Sequence, residues 1–148
     1  MKILYICRIF SGLESSIKKR RWKPTGVPTI YKILEYFDKS EHKLQLVLTD
    51  SGVGLKHKTI FNNNKIFSLN MKGFSSPISV ITDSILYNKL IFRILFKFFN
   101  FLKKTTIIIN LFLKNKPDLI YIDRSNILVA AILVRFFKAK VILRIMGI

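Results

Sequence analysis

Some twenty residues into the chain, the stretch S-G-L-E-S-S-I-K-K-R-R-W-K-P-T-G-V-P gathers Lys18, Lys19, Arg20, Arg21 and Lys23 around Trp22, and Gly12 and Glu14 precede them. It ends in Gly26, just before a helical pattern that opens on Pro28. Such a segment can hold an anion. The basic side chains supply charge, and a helix start offers free N–H groups at the positive end of a dipole. Gly26, having no Cβ, lets a ligand approach the backbone. The plain alternative is a solvated basic loop whose Gly and Pro mark a helix start. A second candidate is Asp123-Arg124-Ser125-Asn126, which follows the apolar run Leu119 to Ile122. There Ser125 or Asn126 can bond a sugar hydroxyl, and the competing role is simple N-capping of the next helix by Ser125. Gly147, after the last apolar run, is the third candidate position.

Other chemistries lack their residues. No G-x-G-x-x-G follows a strand and no G-x-x-x-x-G-K-[ST] occurs, which removes the dinucleotide fingerprint and the P-loop. His42 and His57 stand apart, with no second ligand at metal spacing, so no metal site is expected. Cys7 is the one cysteine, which rules out an intrachain disulfide and points to a reducing compartment. It ends an apolar run, where a packed thiol is expected rather than a nucleophile. Glu14 and Asp123 are the acidic residues nearest the candidate cleft; they lie on separate loops and nothing local makes them a catalytic pair. The catalytic residues stay unassigned.

The elements that must position these residues follow from periodicity. Lys2 to Arg8 is a short β-branched run, a buried strand. After a loop over 9–26, Ile30, Ile33, Leu34 and Phe37 recur at i, i+3, i+4, i+7, one apolar helix face. Pro28 suits the first turn, and Glu35 with Lys39 has the spacing of an exposed ion pair. Lys43 to Thr49 alternates as a second strand. Asp50 to Lys58 is rich in turn residues; Ile60–Phe61 and Ile66–Phe67–Leu69 suggest one or two short strands. Ser76 to Lys104 is expected to be largely helical, broken near Pro77, with Thr105 to Leu113 extending it or forming a separate helix. Leu119 to Ile122, Asn126 to Phe137 and Lys140 to Met146 complete a strand, a helix and a strand. Alternation of this kind predicts an α/β fold with a parallel sheet and right-handed crossovers. Ligands of such sheets bind beyond the carboxyl ends of the strands, where strand order reverses. The loop 11–26, the turn 123–126 and the terminus 146–148 are expected to converge there.

Charge and length bound the partners. The 148 residues suit one domain, with 26 Lys plus Arg against 8 Asp plus Glu, a net charge of +18. Half the residues are hydrophobic, which is too many for a disordered chain. Lys, Ile, Phe and Asn, the residues of A/T-rich codons, make up 64 positions, so part of the lysine surplus reflects base composition. Only 7 of the basic residues are Arg, the residue that reads bases bidentately, and this argues against a nucleic-acid partner. No run of about 18 apolar residues lacks charge, so no spanning helix is predicted. Along Ile85 to Lys104, Lys89, Arg93 and Lys97 make a basic stripe among Leu90, Ile94, Leu95, Phe98 and Phe99. Such a helix either packs on the sheet with its stripe in water or lies on an anionic membrane surface. A cytoplasmic chain, soluble or peripheral at the inner membrane face, is the expected localisation.

The opening KILYICRIFSGLESS, the stretch W-K-P-T-G-V-P-T-I-Y-K-I-L and the close KPDLIYIDRSNILVAAILVRFFKAKVILRIMGI resemble the N-terminal domain of a GT-B glycosyltransferase of the group 1, family 4 type. That resemblance implies a single Rossmann-like domain with helices on both faces, the acceptor-side half of an enzyme that moves a sugar from a nucleotide-sugar donor. It implies no cofactor beyond that donor substrate. Gly12 or Gly26 would approach the donor phosphates, and Glu14, Lys19, Arg21, Arg124, Ser125, Asn126 and Gly147 would face acceptor or donor in the cleft. The acceptor would be a glycan or a lipid-linked phosphate, placing the activity in polysaccharide or glycolipid assembly. Relatives carry the nucleotide site and a pair of glutamates eight apart in a second Rossmann domain, which these 148 residues do not contain. The 148 residues are then expected to be either a fragment or truncated product or the partner of a separate donor-binding glycosyltransferase chain, and not to transfer sugar alone. The rival expectation is a basic peripheral membrane protein with no catalytic role. The sequence also departs from the adjacent-Gly pattern of the first loop and from a His-Gly pair after the last strand, where Met146-Gly147 stands.

Overall fold

The structure is a computed structural model that describes every residue except 11, 27, 50–66, 83–89 and 146–148; of 67 and 90–93 the backbone alone is described. The expectations of a turn-rich Asp50 to Lys58 and a short strand at Ile60–Phe61, and the positions of His57 and Gly147, lie outside the described residues. Among the described residues six strands form one sheet: β1 (Lys2–Arg8), β2 (Lys43–Thr49), β3 (Phe67–Met71), β4 (Phe74–Ile81), β5 (Leu119–Asp123) and β6 (Val141–Arg144). The order across it is β3-β4-β2-β1-β5-β6. All are parallel except β3, which pairs antiparallel with β4. Taking the parallel strands alone, the order is third, second, first, fourth, fifth, the doubly wound Rossmann-like arrangement, with its reversal between β1 and β5. The expected α/β class holds, and a hairpin strand at one edge is added to the expected parallel sheet.

Strand β1 is central because its sequence tolerates burial on both sides. Ile3 to Cys7 are all buried, and alternate residues enter two separate cores. On one face, Ile3, Tyr5 and Cys7 join Leu44, Leu46 and Leu48 of β2. These pack under α1 (Glu14–Lys18) and α2 (Pro28–Lys39) through Leu13, Ile17, Ile30 and Leu34. On the other, Leu4, Ile6, Val47, Ile120 and Ile122 meet α3 (Leu90–Asn115) and α4 (Ile127–Phe137) through Ile108, Val129, Ala130 and Leu133. The helices thus divide between the faces as the two apolar sets of each strand require.

Three expectations are corrected. The segment from Ser76 is not helical at first: Phe74–Ile81 is a strand, and α3 starts at Leu90 and runs unbroken through Thr105 to Asn115. Phe74, Ile78 and Val80 are buried at strand spacing. Pro77, lacking an N–H, lies where the β3–β4 register shifts and no pairing is made. Within the first loop, α1 is an additional short helix. Finally, Glu35 pairs with Lys32 at 3.3 Å rather than with Lys39, a half-exposed contact of little energetic weight. Asp38, near the end of α2, instead binds the sheet, accepting N–H and hydroxyl bonds from Ser75 and Ser76.

Candidate functional site

The parallel strands end at Arg8, Thr49, Ile81, Asp123 and Arg144, and the reversal of strand order opens between the first and fourth of these. Asp123 closes that seam. One carboxylate oxygen accepts the backbone N–H of Arg8 at 2.7 Å; the other accepts the Ser125 hydroxyl at 2.6 Å and the Asn126 side-chain amide at 2.8 Å. The same Asn126 amide reaches the Thr49 hydroxyl at 3.2 Å. Thr49 Oγ lies 3.4 Å from both the Cys7 carbonyl and Asn126 Oδ1, and donates to one of them. Three strand ends, those of β1, β2 and β5, are thereby tied by one polar network.

This network changes what Ser125 and Asn126 do. The 3-10 turn Arg124–Asn126 precedes α4, and neither Asp123 nor Asn126 makes a side-chain cap bond. Ser125 is not an N-cap: its hydroxyl donates back to Asp123, and its oxygen accepts the Asn126 side-chain amide at 3.2 Å. Asn126 is 2% exposed and its amide is engaged on both sides, which makes it a residue that holds the strand ends in position. Arg124 is exposed beside them.

Arg144, at the end of β6, reaches across the same edge. Its guanidinium donates at 2.5 Å to the Thr29 hydroxyl, in the first turn of α2. The start of α2 therefore carries both its own dipole and a guanidinium, while Arg8 and Arg124 sit on the neighbouring strand end and turn. A phosphate or carboxylate is the chemistry that such a rim attracts. Beneath it, burial pushes the Tyr5 phenol far above its ordinary range, helped by the nearby Cys7 and Tyr121, with Arg144 opposing. Burial likewise drives the Cys7 thiol well up, Asp123 adding to the effect and Arg144 opposing it. Cys7 is held as a neutral thiol, the wrong form for a nucleophile.

The first loop divides into two parts. Gly12 and Gly26 adopt φ of 89° and 95°, a region that side-chain-bearing residues seldom occupy. Gly12 closes the loop on itself: Thr25 N–H donates to its carbonyl at 3.3 Å, and a Cβ on Gly12 would fall 1.9 Å from the Thr25 carbonyl oxygen. Backbone crowding within the loop thus already requires glycine at 12. Glu14 is half-buried at the start of α1, and Lys19 is exposed at its end.

The cationic run goes elsewhere. Arg21 bridges to Lys72, with Trp22 N–H donating to the Lys72 carbonyl and Lys72 N–H to that of Arg20, each at 2.8 Å. Lys72 lies in the turn just before β4, at the end of the sheet where the parallel strands begin. Trp22 is the cause: its ring stacks on Phe74 at 4.2 Å and its indole N–H donates to Glu35 at 3.1 Å. The expected convergence of Lys19, Arg20 and Arg21 with the end of β6 on one rim is not what the fold brings together. The structure does gather Arg8, Thr29, Thr49 and Arg144 there around the expected Asp123, and those four the sequence reading did not single out. The signal was available, since Arg8, Thr49 and Arg144 close or flank apolar strands at their carboxyl ends.

Among the described residues no group of three or more His, Cys, Asp or Glu side chains is placed to hold a metal ion. No family model matches the chain, and no curated protein matches it in sequence. Among solved structures, UDP-GlcNAc 2-epimerase from Methanocaldococcus jannaschii aligns over 100% of the chain at 12% identity and a TM-score of 0.47. The chain spans 32% of that protein, about a third of its length.

Proposed function

We propose that the chain is the acceptor-side domain of a GT-B glycosyltransferase, positioning a phosphate-bearing glycan or lipid-linked acceptor for a nucleotide-sugar donor held by a second Rossmann domain. The observation that carries this reading is the Arg144–Thr29 contact across the carboxyl edge of a doubly wound sheet, flanked by Arg8 and Arg124. The sequence resemblance at the opening, at W-K-P-T-G-V-P and at the close supports it independently. In this reading the guanidinium groups bind the acceptor's phosphate, the first turn of α2 adds N–H donors, and Asp123 with Asn126 keeps the strand ends rigid. Orientation of the acceptor hydroxyl toward the donor sugar is the contribution of this domain. Lys19 and Arg21, at the other end of the sheet, have no part in it.

The test is an amide chemical-shift titration of the isotope-labelled full chain with a short-chain isoprenyl phosphate. Shifts should concentrate at Arg8, Thr25 to Thr29, Arg124 and Arg144, and Arg144→Ala should weaken binding about tenfold, the worth of a charged hydrogen bond. Shifts confined to residues 18–23, or an Arg144→Ala variant that binds like the parent, would sink the reading.

A further inference from the structure

The outward surfaces of α3 and α4 supply none of the side chains in the polar network at the carboxyl edge. Their side chains are those a protein normally buries: Phe99 and Leu128 are each 62% exposed and Phe136 75%, with Leu95 and Leu102 beside Phe99. The inward sides of both helices are already committed to the sheet through Ile108, Val129 and Leu133. Charge on these helices has one sign. Leu90–Asn115 and Ile127–Phe137 contain Arg93, Lys97, Lys103, Lys104, Lys114 and Arg135 and not one Asp or Glu.

We propose that this surface docks in the plane of an anionic lipid bilayer. Aromatic and branched apolar groups framed by lysines are what the boundary between headgroups and acyl chains accepts, apolar side inward and cations at the phosphates. The negative potential of such a surface complements a chain carrying +18. A second copy of the chain fits worse, since it brings the same +18 to a face that has no acidic residue on either helix. None of the helices of the described residues is long and apolar enough to cross a membrane, so contact would be from the side. The inference stands on this surface alone and holds whether or not the carboxyl edge takes an acceptor.

Flotation of the full chain with vesicles of phosphatidylcholine containing phosphatidylglycerol, against phosphatidylcholine alone, tests it. Partitioning should be at least about tenfold stronger on the anionic vesicles and should fall with added salt. Leu95→Ser combined with Phe99→Ser should weaken it about tenfold while the thermal melt by circular dichroism stays unchanged. Phe136→Ser on α4 is the second probe should the double variant fold poorly, and Tyr36→Ser on α2 should leave partitioning as it is. Equal binding to neutral and anionic vesicles would overturn the proposal. So would Phe136→Ser and the double variant both floating like the parent, or no flotation with self-association that the double variant abolishes.

Discussion

The two faces of the sheet are built to opposite rules on their outer sides. On the first, α2 turns Ile30 and Leu34 inward and presents Lys32, Glu35, Asp38 and Lys39 along its outer side and margin; Tyr36 is its one large exposed hydrophobic. Its polar groups also bind down to the fold, Glu35 to Trp22 and Asp38 to the start of β4. On the second face, α3 and α4 carry large apolar side chains outside as well as inside, with the exposed Lys97, Lys114 and Arg135 among them. The difference teaches that amphipathicity is a property of a helix's whole environment. A helix with large apolar groups on its outer as well as its inner side calls for a second apolar neighbour, whereas α2 is complete with one.

The sharpest way to break the contrast is to remove equal bulk from each kind of surface. Leu34 is fully buried under α2, and Leu34→Ala should cost about 2–5 kcal/mol, the lost transfer energy plus a cavity. Leu102, on the outer side of α3 and 42% exposed, should lose less than about 0.5 kcal/mol as Leu102→Ala. Urea unfolding of both variants measures the difference. A Leu102 cost approaching that of Leu34 would mean that the outer surface of α3 is covered within the chain.

The polar latch of the first face gives a smaller effect with a pH signature. Burial alone would raise the Asp38 carboxyl. The bonds from Ser76 and Ser75 outweigh that and hold it below its ordinary value. A depressed folded pKa means that the unfolded chain takes up its proton first. The stabilisation is therefore complete above the ordinary carboxylate pKa and lost as pH falls through the lower folded value. Asp38→Asn should cost about 1–3 kcal/mol near neutrality and flatten the acid limb of a stability–pH curve. An unchanged limb in the variant would show that the carboxylate's charge is not what holds α2 to β4.

Much of this was readable from the residues, and the exceptions share a cause. Strands β1, β2, β5 and β6, helix α2 and the helix after β5 follow from local periodicity, because each buries a face that its own sequence defines. Phe74–Ile81 misleads because Pro77 and two serines break its alternation, and only the neighbouring β2 and β3 make it a strand. The candidate site was legible as an edge and not as a set of residues. Sequence places Asp123 and Asn126 in the turn after β5, but their bonds to Arg8 and Thr49 are long-range pairings that no spacing encodes. The basic run was misplaced for a related reason: its charge is conspicuous, yet Trp22 decides where it goes, by stacking on a residue 52 positions away.

The second face also contains the smallest and most discriminating test. Among the described residues, Thr105 Oγ, on the inward side of α3, and Thr82 Oγ, at the end of β4, are buried and meet no hydrogen-bond partner. An unpaired buried hydroxyl costs free energy that a methyl group of the same shape does not. Thr105→Val should therefore be neutral or stabilising by up to about 1 kcal/mol, since a β-branched isostere keeps the packing and drops the unmet group. On the first face the equivalent change meets a used hydroxyl. Ser76→Ala removes a donor to Asp38 and should destabilise by about 1 kcal/mol. Opposite signs for the two substitutions in chemical denaturation would sharpen the contrast between a face whose polar groups hold the fold and one whose polar groups are incidental to it. Destabilisation by Thr105→Val would show that its hydroxyl has a partner in solution, and the second face would then lose half of what sets it apart.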